Sequence, residues 1–332
     1  MRHSISESAS HDGSANQLRL GLCCQFANEP IKFRTTTATA MLRLGRQERL
    51  ARLAELCLVN ADALMEALHY CVAHGVGAFR VNSQILPIKT HPSAGYAVEE
   101  LPGNSSIVAR YRECGAYARE HDLRLSFHPD QFIVLNSPNP RTVEHSLAEL
   151  DYQAEVAEWI GADTVNIHGG GAYGDKTGAL RVLSERIKGL PKRVRSRLTL
   201  ENDDKVYTPL DLLPVCADTG VALVYDAHHH RCCPDGSSVQ ATTQAARQTW
   251  GDREPLFHIS SPLEGWNGPK PERHHDYIDA ADLPKEWLGW PLTVDVEAKA
   301  KELQTSVNRP LEGKKASKSK SLKFPRRGGL GH

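Results

Sequence analysis

Eight short β-branched or apolar runs, each separated from the next by a longer helix-prone stretch, constrain this chain more than any other feature. The runs are "LRLGLCC" (18–24), "GAFRVNS" (77–83), "LRLSFHP" (123–129), "TVNIHGG" (164–170), "LTLENDD" (198–204), "ALVYDAHH" (222–229), "LFHISS" (256–261) and "LTVDVEAK" (292–299). Between them, stretches such as "RLARLAELCLVNADALMEALHYCVAHG" and "TVEHSLAELDYQAEVAEWIG" repeat apolar residues at helical spacing. In the second, Thr142 is the expected N-cap, Glu144 lies in the first turn and Gly161 follows the last. Strict β, α alternation predicts a parallel sheet covered by helices. Eight repeats in about 290 residues match a (β/α)8 TIM barrel, whereas a doubly wound sheet usually has fewer strands. The expected class is therefore α/β, with one barrel domain over 18–308, a polar N-terminal extension (1–17) and a basic tail (309–332).

Composition adds limits. Of the 332 residues, 40% are hydrophobic and 24% charged, as in ordinary soluble domains. The N-terminus is polar, and no uninterrupted apolar run approaches the roughly 18 residues of a membrane span. A cytoplasmic, nucleoid-associated protein without membrane attachment is expected. The eight cysteines include two adjacent pairs and no CxxC, a pattern of reduced and mostly buried thiols. The formal net charge of zero hides an asymmetry, because the tail from Arg309 onward holds eight Lys or Arg against one Glu. Such a tail reads as disordered, and is either attracted to polyanions or merely solubilising.

The strand ends carry the chemistry. Asn82 and Ser83, His128, His168, Glu201, Asp226, His258 and Glu297 fall at or near the C-terminal ends of successive runs, and His91 and His274 lie in loops able to reach the same mouth. In a barrel those ends converge on one face, where active sites sit. Imidazoles and carboxylates there would be costly to bury unless paired or bound to a cation. A His/Asp/Glu set without obligate cysteine points to Mn²⁺, Zn²⁺ or Fe²⁺. So many ligands exceed one ion, and two or three neighbouring ions form the arrangement that clamps the oxygens of a phosphodiester.

Taken in order, "SFHPDQF", "VNIHGGG…GDK", "LTLEND", "YDAHHHRC", "HISSP" and "VEAKAKE" closely resemble the UV damage endonuclease family, over roughly residues 18–303. The family's enzymes are metal-dependent barrel repair nucleases, similar in architecture to endonuclease IV and xylose isomerases. The resemblance implies metal ligation by His91, His128, His168, Glu201, Asp226, His229, His258, His274 and Glu297. It implies two or three ions, usually Mn²⁺ with Zn²⁺, Mg²⁺ or Co²⁺ as alternatives, and a catalytic set of Glu201, His229, Glu297 and Lys176. It further implies that activated water cuts damaged double-stranded DNA on the 5′ side of a lesion and leaves a 3′-hydroxyl, the protein acting as a monomer. Gln131 and Phe132 match the pair that the family uses to probe for poorly stacked bases; a plain core residue in "QFIVL" is the lesser alternative for Phe132. Arg80, Lys176 and Lys299 are expected either to contact phosphate or to serve as structural ion-pair partners.

Two positions depart from the family. Many relatives carry a lysine, open to carboxylation, two residues before the seventh-strand histidine, and Leu256 stands there; some carry a tyrosine where this chain has Leu22. Leucine cannot ligate, which keeps a catalytically weakened metal- or DNA-binding relative among the readings. A sugar isomerase or epimerase of the xylose-isomerase type is the other alternative, disfavoured by the histidine-rich ligand set and the glutamine–aromatic pair. In "VYDAHHHRCCPDG", period two places His228 with Asp226, whereas the family pattern Asp-x-x-His selects His229. That choice requires the strand to have ended by Ala227 or His228. It leaves His228 and His230 as supporting or surface residues and puts Cys232 and Cys233 outside the site.

Overall fold

The computed structural model describes residues 18–298; both expected extensions and Lys299 lie outside the described residues. Eight strands form one parallel sheet: β1 (Leu18–Cys23), β2 (Ala78–Val81), β3 (Arg124–Phe127), β4 (Thr164–His168), β5 (Leu198–Glu201), β6 (Ala222–Val224), β7 (Leu256–Ile259) and β8 (Leu292–Val296). Their spatial order is β6-β5-β4-β3-β2-β1-β8-β7. β6 and β7 meet again through the isolated parallel pair Asp226 and His258, where the Tyr225 carbonyl accepts from the His258 N–H at 3.1 Å. The sheet thus curls into a nearly closed (β/α)8 TIM barrel, the expected fold.

The helices are α1 (Ala38–Leu42), α2 (Arg46–Ala73), α3 (Asn104–Glu120), α4 (Pro140–Ile160), α5 (Lys176–Lys188), α6 (Lys192–Arg195), α7 (Pro209–Thr219), α8 (Ala227–Cys232) and α9 (Val239–Gln248). α2 buries Leu53, Cys57, Ala61, Leu64, Leu68 and Cys71, one stripe at helical spacing, and packs on α3 and β2. Its length and apolar content match a membrane span, but half of the span-like window is buried inside the protein, as in a core helix. α4 begins earlier than expected. Asn139, not Thr142, is its N-cap, accepting from the Arg141 N–H at 3.0 Å, because Pro140 is already suited to the first helical position. Its end is as expected, at Gly161 with φ 75°.

The alternation fails once. Between β7 and β8 only two 3₁₀ turns form, Ala280–Asp282 and Lys285–Trp287. That connection carries Pro262, Pro269, Pro271 and Pro284 together with Gly265 and Gly268, which deny a helix its donors and its rigidity. The strands begin within one residue of the expected positions but end sooner. β3 stops before His128-Pro129, since proline has no N–H to extend the ladder, and β6 stops at Val224, five residues short of the expected end. His128, Asp226 and Glu297 therefore lie just past their strands, and His168 and Glu201 end theirs.

Candidate metal centre at the C-terminal face of the barrel

Glu201 is the hub. It is fully buried at the end of β5, and its Oε2 accepts from the Asn166 side chain, which in turn accepts from the Thr199 hydroxyl. The same oxygen lies 2.9 Å from His128 Nε2. His128 already donates from Nδ1 to the Pro129 carbonyl at 3.0 Å. A carbonyl only accepts, so Nδ1 holds a proton; Nε2 faces the carboxylate, donating to it in the imidazolium and free to ligate a cation in the neutral ring. A proton or a metal cation between the two atoms makes this contact favourable.

The pattern repeats around the hub. His258 Nδ1 lies 3.1 Å from Glu201 Oε1 and 3.4 Å from Glu297 Oε1. His229 Nδ1 donates to the Asn202 carbonyl at 3.0 Å, so Nε2 is the nitrogen that would ligate a cation once the ring is neutral. Asn202 also clamps the backbone of Asp226 through both ends of its amide, at 2.9 and 3.0 Å. Glu201 Oε1, Asp226 Oδ2, His168 Nδ1 and both nitrogens of His258 are buried without a hydrogen-bond partner, a rare condition for native polar atoms.

Charge follows geometry. Burial alone would raise the Glu201 carboxyl, but His258, His168 and His128 outweigh it and hold the group well below the usual range. Burial acts the same way on Glu297, and Arg80 with His258 draws it well below. Burial would lower His258, yet Glu201 and Glu297 raise it to about 9. His229 is likewise lifted well above its ordinary value, by Asp226 and Glu201 against burial. His168 is the exception, lowered because burial prevails.

Three sets bring ligand atoms within 4.8 Å of one another: His128, His168 and Glu201; His128, His258 and Glu297; Glu201, Asp226 and His229. They share His128 and Glu201, so the cations they would hold are neighbours. Nitrogen and carboxylate donors without thiolate fit Mn²⁺, Zn²⁺ or Fe²⁺. Cys232 and Cys233 stand outside all three sets, as expected.

Not every expected residue is gathered. His91 takes part in none of the sets; its Nδ1 accepts from the Ser93 and Ala94 amides at 3.2 Å, in a local turn at a separate cavity that Phe132 and Glu149 also line. His274 sits at the rim, its Nδ1 3.7 Å from Glu297 Oε2. Lys176 ends in an ion pair with Asp211 at 2.6 Å, and Arg80 in a buried one with Glu297, so both hold the structural alternative named for them. His228 and His230 are buried, not on the surface: His228 donates to the Ser260 carbonyl, and His230 bridges Tyr225 and Asp235.

Phe132 is 70% exposed, beside exposed Gln131, so it is not a core residue. A cavity of about 480 Å³ runs from this loop over the cluster, lined by Gln131, His128, His168, Arg80 and Glu297. Leu22 is buried in the main core, and Leu256 packs with Ala222, Val224 and Trp250. Sequence reading passed over Asn166, Asn202 and Asp295. Period two links Asn166 to His168 and Asp295 to Glu297, a signal present in "VNIH" and "VDVE". Asp295 is wholly buried on β8; burial pushes its carboxyl up, against the pull of Arg80 and His258.

The profile of the family described as UV-endonuclease UvdE matches residues 18–312. A UV DNA damage endonuclease of Bacillus thuringiensis subsp. konkukian (strain 97-27) is 35% identical over 253 residues, covering 74% of this chain and 77% of that protein. The crystal structure of SacUVDE superposes with a TM-score of 0.75 at 25% identity, over 87% of this chain and 96% of the other. Endonuclease IV from Thermus thermophilus shares the fold, with a TM-score of 0.52 at 17% identity over 86% and 95%.

Proposed function

The chain belongs to the UV-endonuclease family, and from that premise we propose that it nicks double-stranded DNA on the 5′ side of UV photoproducts and other distorting lesions, using two or three divalent ions, Mn²⁺ foremost. One observation carries the metal-dependent reading: three overlapping sets of ligand atoms, centred on His128 and Glu201, lie in a cluster where several buried ligand atoms have no hydrogen-bond partner. Bound there, the ions would acidify water and offset the charge of the scissile phosphate.

The chain's own residues do the rest. Asn166 and Thr199 fix the Glu201 carboxylate, Arg80 holds Glu297, and Asn202 sets both the His229 ring and the backbone of Asp226. Phe132, an exposed ring at the mouth, is available for insertion between bases. Unstacking costs a few kcal/mol, less where a photoproduct already distorts the duplex, so the lesion would be selected by deformability. A small sugar substrate would leave this ring without a role. We place the protein in the cytoplasm as a monomer.

The test is a duplex with one defined photoproduct, incubated with purified protein and Mn²⁺ beside an intact control. A lesion-dependent 5′ nick with a 3′-hydroxyl is expected. Its absence with Mn²⁺, Zn²⁺, Mg²⁺ and Co²⁺ alike refutes the reading.

A further inference from the structure

Asp295 has no part in the three ligand sets, yet its situation demands a reason. The side chain is wholly buried inside the barrel, and neither carboxylate oxygen has a hydrogen-bond partner. Such a group costs several kcal/mol unless a charge or donor answers it. The fold also makes room for it: a Cβ on Gly21, its register partner on β1, would lie 2.0 Å from Asp295 Oδ1. On the other side its register partner is His258, whose Nε2 lies 3.8 Å from Asp295 Oδ2.

His258 has two faces. Nδ1 is turned to Glu201 and Glu297, and Nε2 to Asp295. A neutral imidazole carries one N–H, and with it on Nε2 the lone pair on Nδ1 points into the cluster. Arg80, the nearby cation, is taken by Glu297, and Leu256 on β7 brings no polar group to this layer. Histidines that bind metals commonly donate their second N–H to a carboxylate, which fixes the tautomer and the ring.

We propose that Asp295 is a positioning residue that holds His258 with its proton on Nε2 and its Nδ1 lone pair aimed at the divalent ion shared with His128 and Glu297, Gly21 being the residue that admits it. This rests on the metal-dependent reading above. The test measures Mn²⁺ binding by titration calorimetry, without DNA, for wild type, Asp295→Asn, His258→Ala and the double variant, with melts of the metal-free proteins to confirm folding. Asp295→Asn is expected to weaken one ion roughly 10- to 100-fold, and to add nothing in the His258→Ala background. Gly21→Ala, which displaces the carboxylate without removing it, weakens the same ion. Wild-type affinity in Asp295→Asn, or an equal loss with and without His258, overturns the proposal. Wild-type protein that binds no ion removes the metal reading and this inference together; full binding without nicking of damaged DNA removes only the assigned reaction.

Discussion

His228 and His229 differ by one position and by everything that position decides. Had β6 continued, His228 would share a face with Asp226. Instead Asp226 caps α8, accepting from the His229 N–H at 2.7 Å, and the first helical turn brings His229 round to Glu201. His229→Ala is accordingly expected to cut nicking of a photoproduct duplex by about 10³-fold or more, as does Glu201→Gln, whereas His228→Ala stays within about tenfold of wild type. Single-turnover assays on one labelled duplex check all three. The thiols give a prediction of a different kind. Burial pushes Cys57 up to about 11 and Cys71, Cys114 and Cys216 up to about 12. A folded-state pKa above the unfolded value of about 8.5 gives stability that is whole below that pH and lost as pH rises through the folded values. Melting temperature should therefore fall progressively from about pH 9 toward pH 12, and less steeply in a Cys71→Ser, Cys216→Ser variant after correction for its lower starting stability.

At the scale of elements, the packing of α3 on α4 rests on one small residue. A Cβ at Gly115 would come within 2.6 Å of the Ile160 carbonyl oxygen, and backbone cannot move aside cheaply. Gly115→Ala should destabilise the fold by about 1–3 kcal/mol in denaturant titrations, while leaving metal binding intact. The loop after β3 behaves oppositely, since Gln131 and Phe132 are exposed and support nothing in the core. Replacing both with alanine should leave melting unchanged and reduce the ratio of nicking on damaged to intact duplex by about tenfold or more, the worth of one lost stacking contact. The positions of these elements were legible beforehand: every strand start fell within a residue of its β-branched run. Their ends were not, because a strand stops where its neighbour no longer offers a partner, and that neighbour is distant in the chain. Pro129 and the cap made by Asp226 are local reasons that could have been found in the sequence; the nearly helix-free passage from β7 to β8 was also signalled, by its prolines.

At the scale of the whole molecule, the barrel has a seam. Seven strand pairs are joined by ladders of two to five paired residues, but β6 and β7 meet only at Asp226 and His258. Both residues face the cluster, so ions bound there would draw the seam together. Mn²⁺ should slow amide exchange in Leu223–Tyr225 and Leu256–Ile259 more than elsewhere, and chelation should reverse it, as followed by hydrogen-exchange mass spectrometry. A hundredfold excess of Mn²⁺ over its Kd should add about 2.7 kcal/mol of stability. The sequence by itself determined the barrel, the face on which the candidate cluster lies and most of that cluster's residue types, because periodicity and residue chemistry are local properties of the chain. Only the tertiary structure decided how the first turn of α8 carries His229 to Glu201, that His91 stands apart, that Arg80 and Lys176 are held in ion pairs, and that Asp295 lies behind His258. Those outcomes depend on which side chains from distant strands compete for the same charge in a space of a few ångströms, and nothing in a linear order measures that distance.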